Sequence, residues 1–204
     1  NYLDRLAVTD VLESQALYQF GGFRVGEGAG AEGVSALRVT PSFFRVLRID
    51  AARGRLFSDE EGTTGHNRVV LLTYAFAQRQ PGGLDGIVGR ELRMDNERYT
   101  VVGVLPEAFK FLNPDLRVFV PLAFTDAERG EDRRWSQNHE EMGRLAAGAT
   151  PAQAQARIEA LNANVVERAG PLKSALVNAG YHTRVVSFEA DLVRSVRGAL
   201  QMLW

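Results

Sequence analysis

The chain has 204 residues and a mass of 22.5 kDa, with 45% apolar and 24% charged side chains, a globular composition that excludes wholesale disorder. Its 24 basic and 25 acidic residues leave a net charge of −1, which excludes the broad positive field of sequence-independent nucleic-acid binding. With no cysteine, disulfide scaffolds, thiolate metal sites and cysteine nucleophiles drop out, and no apolar run reaches the roughly 18 residues of a membrane span.

In chain order, Leu3, Leu6, Ala7, Asp10 and Val11 fall at near-helical spacing and predict an amphipathic helix over the first dozen residues, followed by a strand at 16–25. The glycine-studded segment 26–33 reads as a loop to a second strand, 34–39, in a hairpin-like unit. Thr40-Pro41 is a helix-start signal, because threonine caps free amides and proline suits the first helical position, so a short helix is expected at 41–47. Ser58-Asp59-Glu60-Glu61 has the form of a capping box and predicts another turn of helix.

Residues 68–73 (RVVLLT) have the length and branching of a buried strand, and 74–79 form a short helix ended by Pro81-Gly82-Gly83. Two strands, 91–94 and 97–105, meet at a tight turn at Asp95-Asn96, and 116–120 is one more strand, stopped by Pro121. Residues 125–141 are charged and turn-prone and read as a connector, with a strand at 142–147. Thr150-Pro151 opens the clearest helix, with Ile158, Leu161 and Val165 on one face and its end at Gly170-Pro171. A strand at 183–188 follows. The last residues turn apolar at Leu200, Met202, Leu203 and Trp204, and with the start at Asn1 the reading is of a segment from a longer protein.

Chemistry-bearing motifs are few. Gly28-Ala29-Gly30-Ala31-Glu32-Gly33 matches G-x-G-x-x-G by letter, yet a dinucleotide fingerprint needs a helix after the glycines to aim free amides at a pyrophosphate, and here a strand follows; a hairpin loop is the reading. No G-x-x-x-x-G-K-[ST] or G-x-S-x-G segment occurs. His66, His139 and His182 lie far apart in loops; His139-Glu140-Glu141, and Asp59-Glu60-Glu61 near His66, are the only hints of metal ligands. A solvated connector explains the first and helix capping the second. The residues point to a structural or interaction module rather than an enzyme, with no catalytic, cofactor or metal residues assigned.

Val39-Thr40-Pro41-Ser42-Phe43-Phe44-Arg45-Val46-Leu47, Gly54-Arg55-Leu56-Phe57 and Asp59-Glu60-Glu61 resemble the opening motifs of MacB-like periplasmic core domains of ABC-transporter permeases. Val69-Val70-Leu71-Leu72-Thr73-Tyr74, Ile87-Val88-Gly89-Arg90, Tyr99-Thr100-Val101-Val102-Gly103-Val104-Leu105-Pro106, Phe109 and Val120-Pro121-Leu122 continue in that family's order. The motifs are most similar to the acidobacterial-type permeases. One departure is Leu47-Arg48-Ile49, where relatives often read Leu-Gly-Val.

The resemblance implies an α+β fold: a discontinuous porter-like α/β subdomain (1–56 and 136–190), an inserted β-rich subdomain with the charged connector (57–135), and an approach to a transmembrane helix (191–204). It implies fold-defining roles for Phe43, Phe44, Gly54, Arg55, Phe57, Gly89, Arg90, Gly103, Pro106, Phe109 and Pro121, with the phenylalanines as core anchors, Gly54 and Gly103 supplying backbone freedom or close approach at strand ends, and Arg55 holding a carboxylate or carbonyl groups. It also implies a place on the periplasmic face of a bacterial inner membrane, in a parent protein integral to that membrane. The function implied is non-enzymatic: motion driven by a cytoplasmic ABC ATPase passes to a substrate or partner outside the membrane, as in export. Implied partners are that ATPase, a second permease copy or half, and a periplasmic adaptor or exported substrate; nucleic acid and cofactors are not among them. Two alternatives stand beside this: a ligand-binding, receptor-like module with a cleft between subdomains, and a metal-dependent hydrolase using the histidines.

Overall fold

Runs of branched apolar residues bounded by glycine, proline and asparagine turns fold here into strands of one mixed sheet, and the computed structural model describes residues 2–125 and 139–191. A long β1 (Leu12–Val25) passes through the 3-10 turn Gly28–Gly30 into β2 (Glu32–Val39), antiparallel from Tyr18↔Val39 to Val25↔Glu32. Then come β3 (Arg53–Gly54), β4 (Val69–Leu72), β5 (Glu91–Met94), β6 (Glu97–Val104), β7 (Leu116–Pro121) and β8 (Glu140–Leu145). The spatial order is β2-β7-β4-β6-β5-β1-β8, with β3 on β6. Pairs β2–β7 and β4–β6 are parallel, whereas β4–β7, β5–β6 and β3–β6 are antiparallel. Because β1 also pairs with β2 and meets β5 at Val25↔Met94, the path β1-β2-β7-β4-β6-β5 closes on itself, leaving few free strand edges.

The α-helices bounded within the described residues are α1 (Tyr2–Arg5), α2 (Phe43–Leu47), α3 (Tyr74–Arg79), α4 (Gly83–Gly86), α5 (Pro151–Glu167) and α6 (Lys173–Asn178), and residues 188–191 are helical as well. Contacts divide the chain into two compact units, residues 15–143 and residues 1–14 with 144–204. This partition follows which strands pair, since β2 reaches β7 and β3 reaches β6; the resemblance draws its architectural boundaries at 56/57 and 135/136 instead.

In the larger unit the central strands are apolar on both faces. Leu37, Leu71 and Phe119 face one core cluster, and Ala36, Val70, Leu72, Val118 and Val120 the other. This explains why RVVLLT reads as a continuous rather than alternating run. The smaller unit has its own core of Val8, Leu12, Ala154 and Ile158, with Leu145, Leu161 and Val185 against it. Its α5 starts at a capping box: the Gln153 amide donates to Thr150 Oγ1 (3.2 Å) and the Thr150 amide to Gln153 Oε1 (2.8 Å).

Several expectations need correction. The first helix stops at Arg5, since Val8 and Leu12 reach the core beside Ala154 and Ile158 without a helical path between them, and β1 starts four residues early. Thr40 does not cap α2; its hydroxyl accepts from the Leu17 amide (3.0 Å), and the helix begins at Phe43. Strands β2 and β8 each begin two residues before the predicted start. Most importantly, 183–188 is not a strand. Among the described residues no strand pairs with it, and the α5 side chain Gln155 takes that place, donating from Nε2 to the Thr183 carbonyl (2.8 Å) and accepting at Oε1 from the Val185 amide (2.6 Å). Most of the expected 125–141 connector and the apolar end at 192–204 lie outside the described residues.

Candidate functional site

The residues that carried the family resemblance are built into the larger unit around α2. Two hydroxyls fasten the approach to this helix onto β1: Thr40 accepts from Leu17, and Ser42 donates to the Gln15 carbonyl (2.7 Å). The far end closes with the Ile49 amide on the Phe44 carbonyl (3.0 Å) and the Arg48 amide on the Arg45 carbonyl (3.1 Å), the paired bonds of a Schellman end. Arg48 is left-handed there (φ 56°), so the residue that departs from the Leu-Gly-Val pattern occupies the conformation that glycine adopts with least strain. The turn at Asp95-Asn96 is likewise left-handed at both central residues (φ 49° and 68°), as a two-residue hairpin of type I′ requires.

Fixed at both ends, α2 drives Phe43 and Phe44 into an aromatic cluster. Their rings meet edge to face at 5.2 Å; Phe44 also lies 6.0 Å from Phe57, 6.1 Å from Phe109 and 5.7 Å from Phe119, and Phe43 lies 4.9 Å from Phe111. Such pairs add about 0.5–1.5 kcal/mol each beyond the area they bury. The sequence reading missed Tyr18, Phe111 and Phe119 as members of this cluster. The signal available was the alternation in LRVFV, which sets Phe119 opposite to Val118 and Val120.

A second seam joins β3 to β6. Gly54 pairs with Gly103, and the backbones are so close that a Cβ on Gly54 would drive into the Val102 carbonyl oxygen and one on Gly103 into those of Arg53 and Arg55. Gly54 also needs glycine for its φ of 68°. The 87–90 turn docks on the same strand: the Gly89 amide donates to the Val101 carbonyl and the Val101 amide to the Arg90 carbonyl (2.8 Å each), while the Arg90 guanidinium lies against Gly82. Pro106 accepts the Phe109 amide (3.0 Å), and Pro121 is paired with Val39 in the parallel β2–β7 ladder.

Arg55, next to this seam, grips Glu61 through both nitrogens (Nη1–Oε2 3.0 Å, Nη2–Oε1 2.7 Å). Glu61 also accepts from the Ser58 amide (2.8 Å), so one carboxylate closes the capping box of the 3-10 turn Asp59–Gly62 and receives the arginine fork. Burial pushes the Glu61 carboxyl up, and this is the largest single effect. The Arg55 and Ser58 hydrogen bonds and the arginine charge together outweigh it and hold the group below the ordinary carboxylate range. The Glu61 hydrogen bond in turn raises Arg55, against the smaller opposing effect of desolvation.

The structure leaves the other motifs apart. His66 pairs with Glu60 at the surface (2.8 Å), His139 makes an edge contact with Phe124 (5.5 Å), and His182 Nδ1 lies 2.7 Å from the Gly180 carbonyl. Among the described residues no three His, Asp or Glu side chains come together as metal ligands. The G-x-G-x-x-G segment is a hairpin turn whose flanks rest on the β5–β6 hairpin: the Gly26 amide meets the Arg93 carbonyl (2.9 Å) and Glu27 meets Arg93 (3.0 Å). What the motif residues are arranged to do is hold backbone against backbone and ring against ring.

The model of the MacB-like periplasmic core domain matches residues 3–161. Among solved structures, the periplasmic region of MacB from Actinobacillus actinomycetemcomitans superposes with a TM-score of 0.59 at 12% identity, over 80% of this chain and 73% of that one. The extracellular domain of the noncanonic ABC-type transporter YknZ from Gram-positive bacteria gives 0.56 at 14% identity, over 80% and 82%. No curated protein matches the chain in sequence. No helix among the described residues is long and apolar enough to cross a membrane. Mixed sheet, ordered motifs and family match agree, and the chain belongs to the MacB-like periplasmic core domains of ABC-transporter permeases.

Proposed function

We propose that the chain is a non-enzymatic transmission element on the periplasmic face of an inner-membrane permease. It passes movement driven by a cytoplasmic ABC ATPase to a substrate or partner outside the membrane, in the direction of export. A second permease copy or half completes the working assembly, and a periplasmic adaptor or the exported substrate is what the domain acts on. The single observation that carries this reading is the family match over residues 3–161. The physical construction supports it: a body that relays force must not deform, and the larger unit is a closed circuit of strands with apolar side chains packed on both faces and a close β3–β6 backbone approach lined by two glycines.

The chain itself has no cysteine, so once any cysteines elsewhere in the permease are replaced, a single introduced thiol reports on this domain. Spin labels at Ala160→Cys, an exposed position on α5, in the full-length permease dimer give the distance between copies. The expected result is a distance distribution that shifts between the nucleotide-free and ATP-bound states. Identical distributions in a preparation that hydrolyses ATP would contradict the proposal.

A further inference from the structure

The circuit of strands leaves a stretch of β1 unpaired on one side among the described residues. On its other side β2 follows β1 without a register break from Tyr18↔Val39 to Val25↔Glu32, and the Thr40 amide carries that ladder on to the Leu17 carbonyl (3.0 Å). Odd-numbered residues of this stretch therefore turn their amides and carbonyls toward β2, and even-numbered ones turn theirs away from it. There β5 reaches only Val25, where the Asp95 amide donates to the Arg24 carbonyl (2.9 Å) and the Arg24 amide to Asp95 Oδ1 (2.8 Å). At the opposite end of β1 the Ala146 amide donates to the Val11 carbonyl (3.0 Å), Leu145 packs in the core of Leu12 and Met142 in that of Ala16. Strand β8 thus runs antiparallel back along β1, and its six residues end short of Phe20. Phe20 and Gly22, lying between β8 and β5, direct amide and carbonyl groups outward with no strand beside them among the described residues.

This edge lacks the usual guards. Gln19-Phe20-Gly21-Gly22-Phe23 contains no charge and no proline, and its pairing with β2 has no bulge to twist it away. Phe20 is 46% exposed, and Gly21 and Gly22 are exposed. An uncharged edge with an open aromatic ring is a template for another extended strand. The order Phe-Gly-Gly determines which strand fits. When the edge meets the same edge of a second copy, antiparallel about a twofold axis at Gly21, Phe20 stands opposite Gly22 of that copy and Gly22 opposite its Phe20. These are the residues with outward amides and carbonyls, so each pair exchanges two hydrogen bonds, and each ring covers the space left by a residue without a side chain. The edge is therefore self-complementary, as an interface between two identical surfaces must be.

We propose that residues 20–22 of β1 are a contact between two copies of this domain, an antiparallel β1–β1 ladder centred on Gly21. The inference rests on the reading that two permease copies work together. A ladder of this length is too small to hold a dimer alone, and it acts between copies that the rest of the assembly already keeps at high effective concentration.

Oxidative cross-linking of the full-length permease, with any other cysteines replaced, tests it. In the ladder Gly21 faces its own copy across the axis at the narrow spacing of about 4.5 Å between Cα atoms, which a disulfide spans, and a Cβ on Gly21 meets nothing within 4 Å. Gly21→Cys is expected to give a disulfide-linked dimer on mild oxidation, and Ala160→Cys on α5 is not. Adding Phe20→Glu to Gly21→Cys should abolish the linked dimer, because it brings two carboxylates together across the axis and removes both rings. A Gly21→Cys permease that elutes as two copies yet forms no disulfide, an equal yield at Ala160→Cys, or a yield unchanged by Phe20→Glu would each overturn the inference and leave the transmission reading standing. A permease that elutes as single copies would overturn the inference together with the two-copy reading beneath it.

Discussion

The two compact units are held together by different means. In residues 15–143, backbone pairs with backbone around a closed path of strands, and the fully buried Phe43, Phe44, Phe76 and Phe119 fill the faces. In the other unit, the extended stretch at 183–185 has no ladder among the described residues. It is tied to α5 by Gln155, by Asn162 (Nδ2 to Thr183 Oγ1, 2.9 Å) and to α1 by Arg5 (Nη2 to Thr183 Oγ1, 2.7 Å). Large apolar side chains there remain at the surface, with Val177 61% exposed. A ladder within a packed core opens only when the core does, whereas a stretch tied by side-chain hydrogen bonds and the packing of Val185 can open more easily. The larger unit is therefore built as a rigid body and the smaller one as a body with a detachable strap.

Substitutions sharpen that contrast. The greatest effect is expected at the glycine seam: Gly103→Val sets a branched side chain against the Arg53 and Arg55 carbonyls and should cost more than about 4 kcal/mol in urea unfolding. Gly33→Ala, with open space around it, should stay within about 0.5 kcal/mol. If both glycines tolerated alanine and valine alike, the close approach of β3 and β6 would be wrong.

Next comes Phe44→Ala, which empties the middle of the aromatic cluster and should destabilise by about 3–5 kcal/mol. An effect below about 1 kcal/mol would mean that α2 is not anchored there.

Glu61→Gln removes the charge received by Arg55 and should cost about 1–3 kcal/mol near neutral pH. The sign with pH follows from the direction of the shift. The Glu61 carboxyl is held below its unfolded value, so its contribution is fully present above the unfolded carboxylate range and is lost as pH falls through the lower, folded value. The gap between parent and Glu61→Gln should therefore narrow on acidification. A gap that widened would show that the folded carboxyl is raised instead.

The smallest global effect is expected from Gln155→Ala, about 0.5–1.5 kcal/mol, confined to the strap. Exchange of the Val185 amide should accelerate while that of β6 amides stays unchanged. Equal acceleration in both places would mean that the two units open together.

The sequence disclosed what is local. Asp95-Asn96 between two apolar runs, the helix start at Thr150-Pro151 and the 74–79 segment each carry their own turn or cap chemistry and fold as the residues read, although the helix opened at Thr150 ends at Glu167, short of the expected Gly170-Pro171. What escaped depends on distant partners. Residues 183–188 have strand-like composition, but strand is a relation to a neighbouring backbone, and here the neighbour is a glutamine side chain. Glu61 was legible as a helix cap and Arg55 as a seeker of carboxylate; that one residue answers both became visible only when the 3-10 turn brought them together. The apposition of Gly54 and Gly103 joins residues far apart in the chain, and no periodicity encodes it.

The most direct test of the rigid-body account is native-state hydrogen exchange across the whole chain as a function of urea. The account predicts that the Val101, Gly103 and Phe119 amides exchange only through global unfolding, with free energies equal to that of the unfolding transition, while the Val185 amide exchanges through a local opening of much lower free energy that urea scarcely changes. Exchange of the β4, β6 and β7 amides through low-energy local openings, as fast as at Val185, would contradict it.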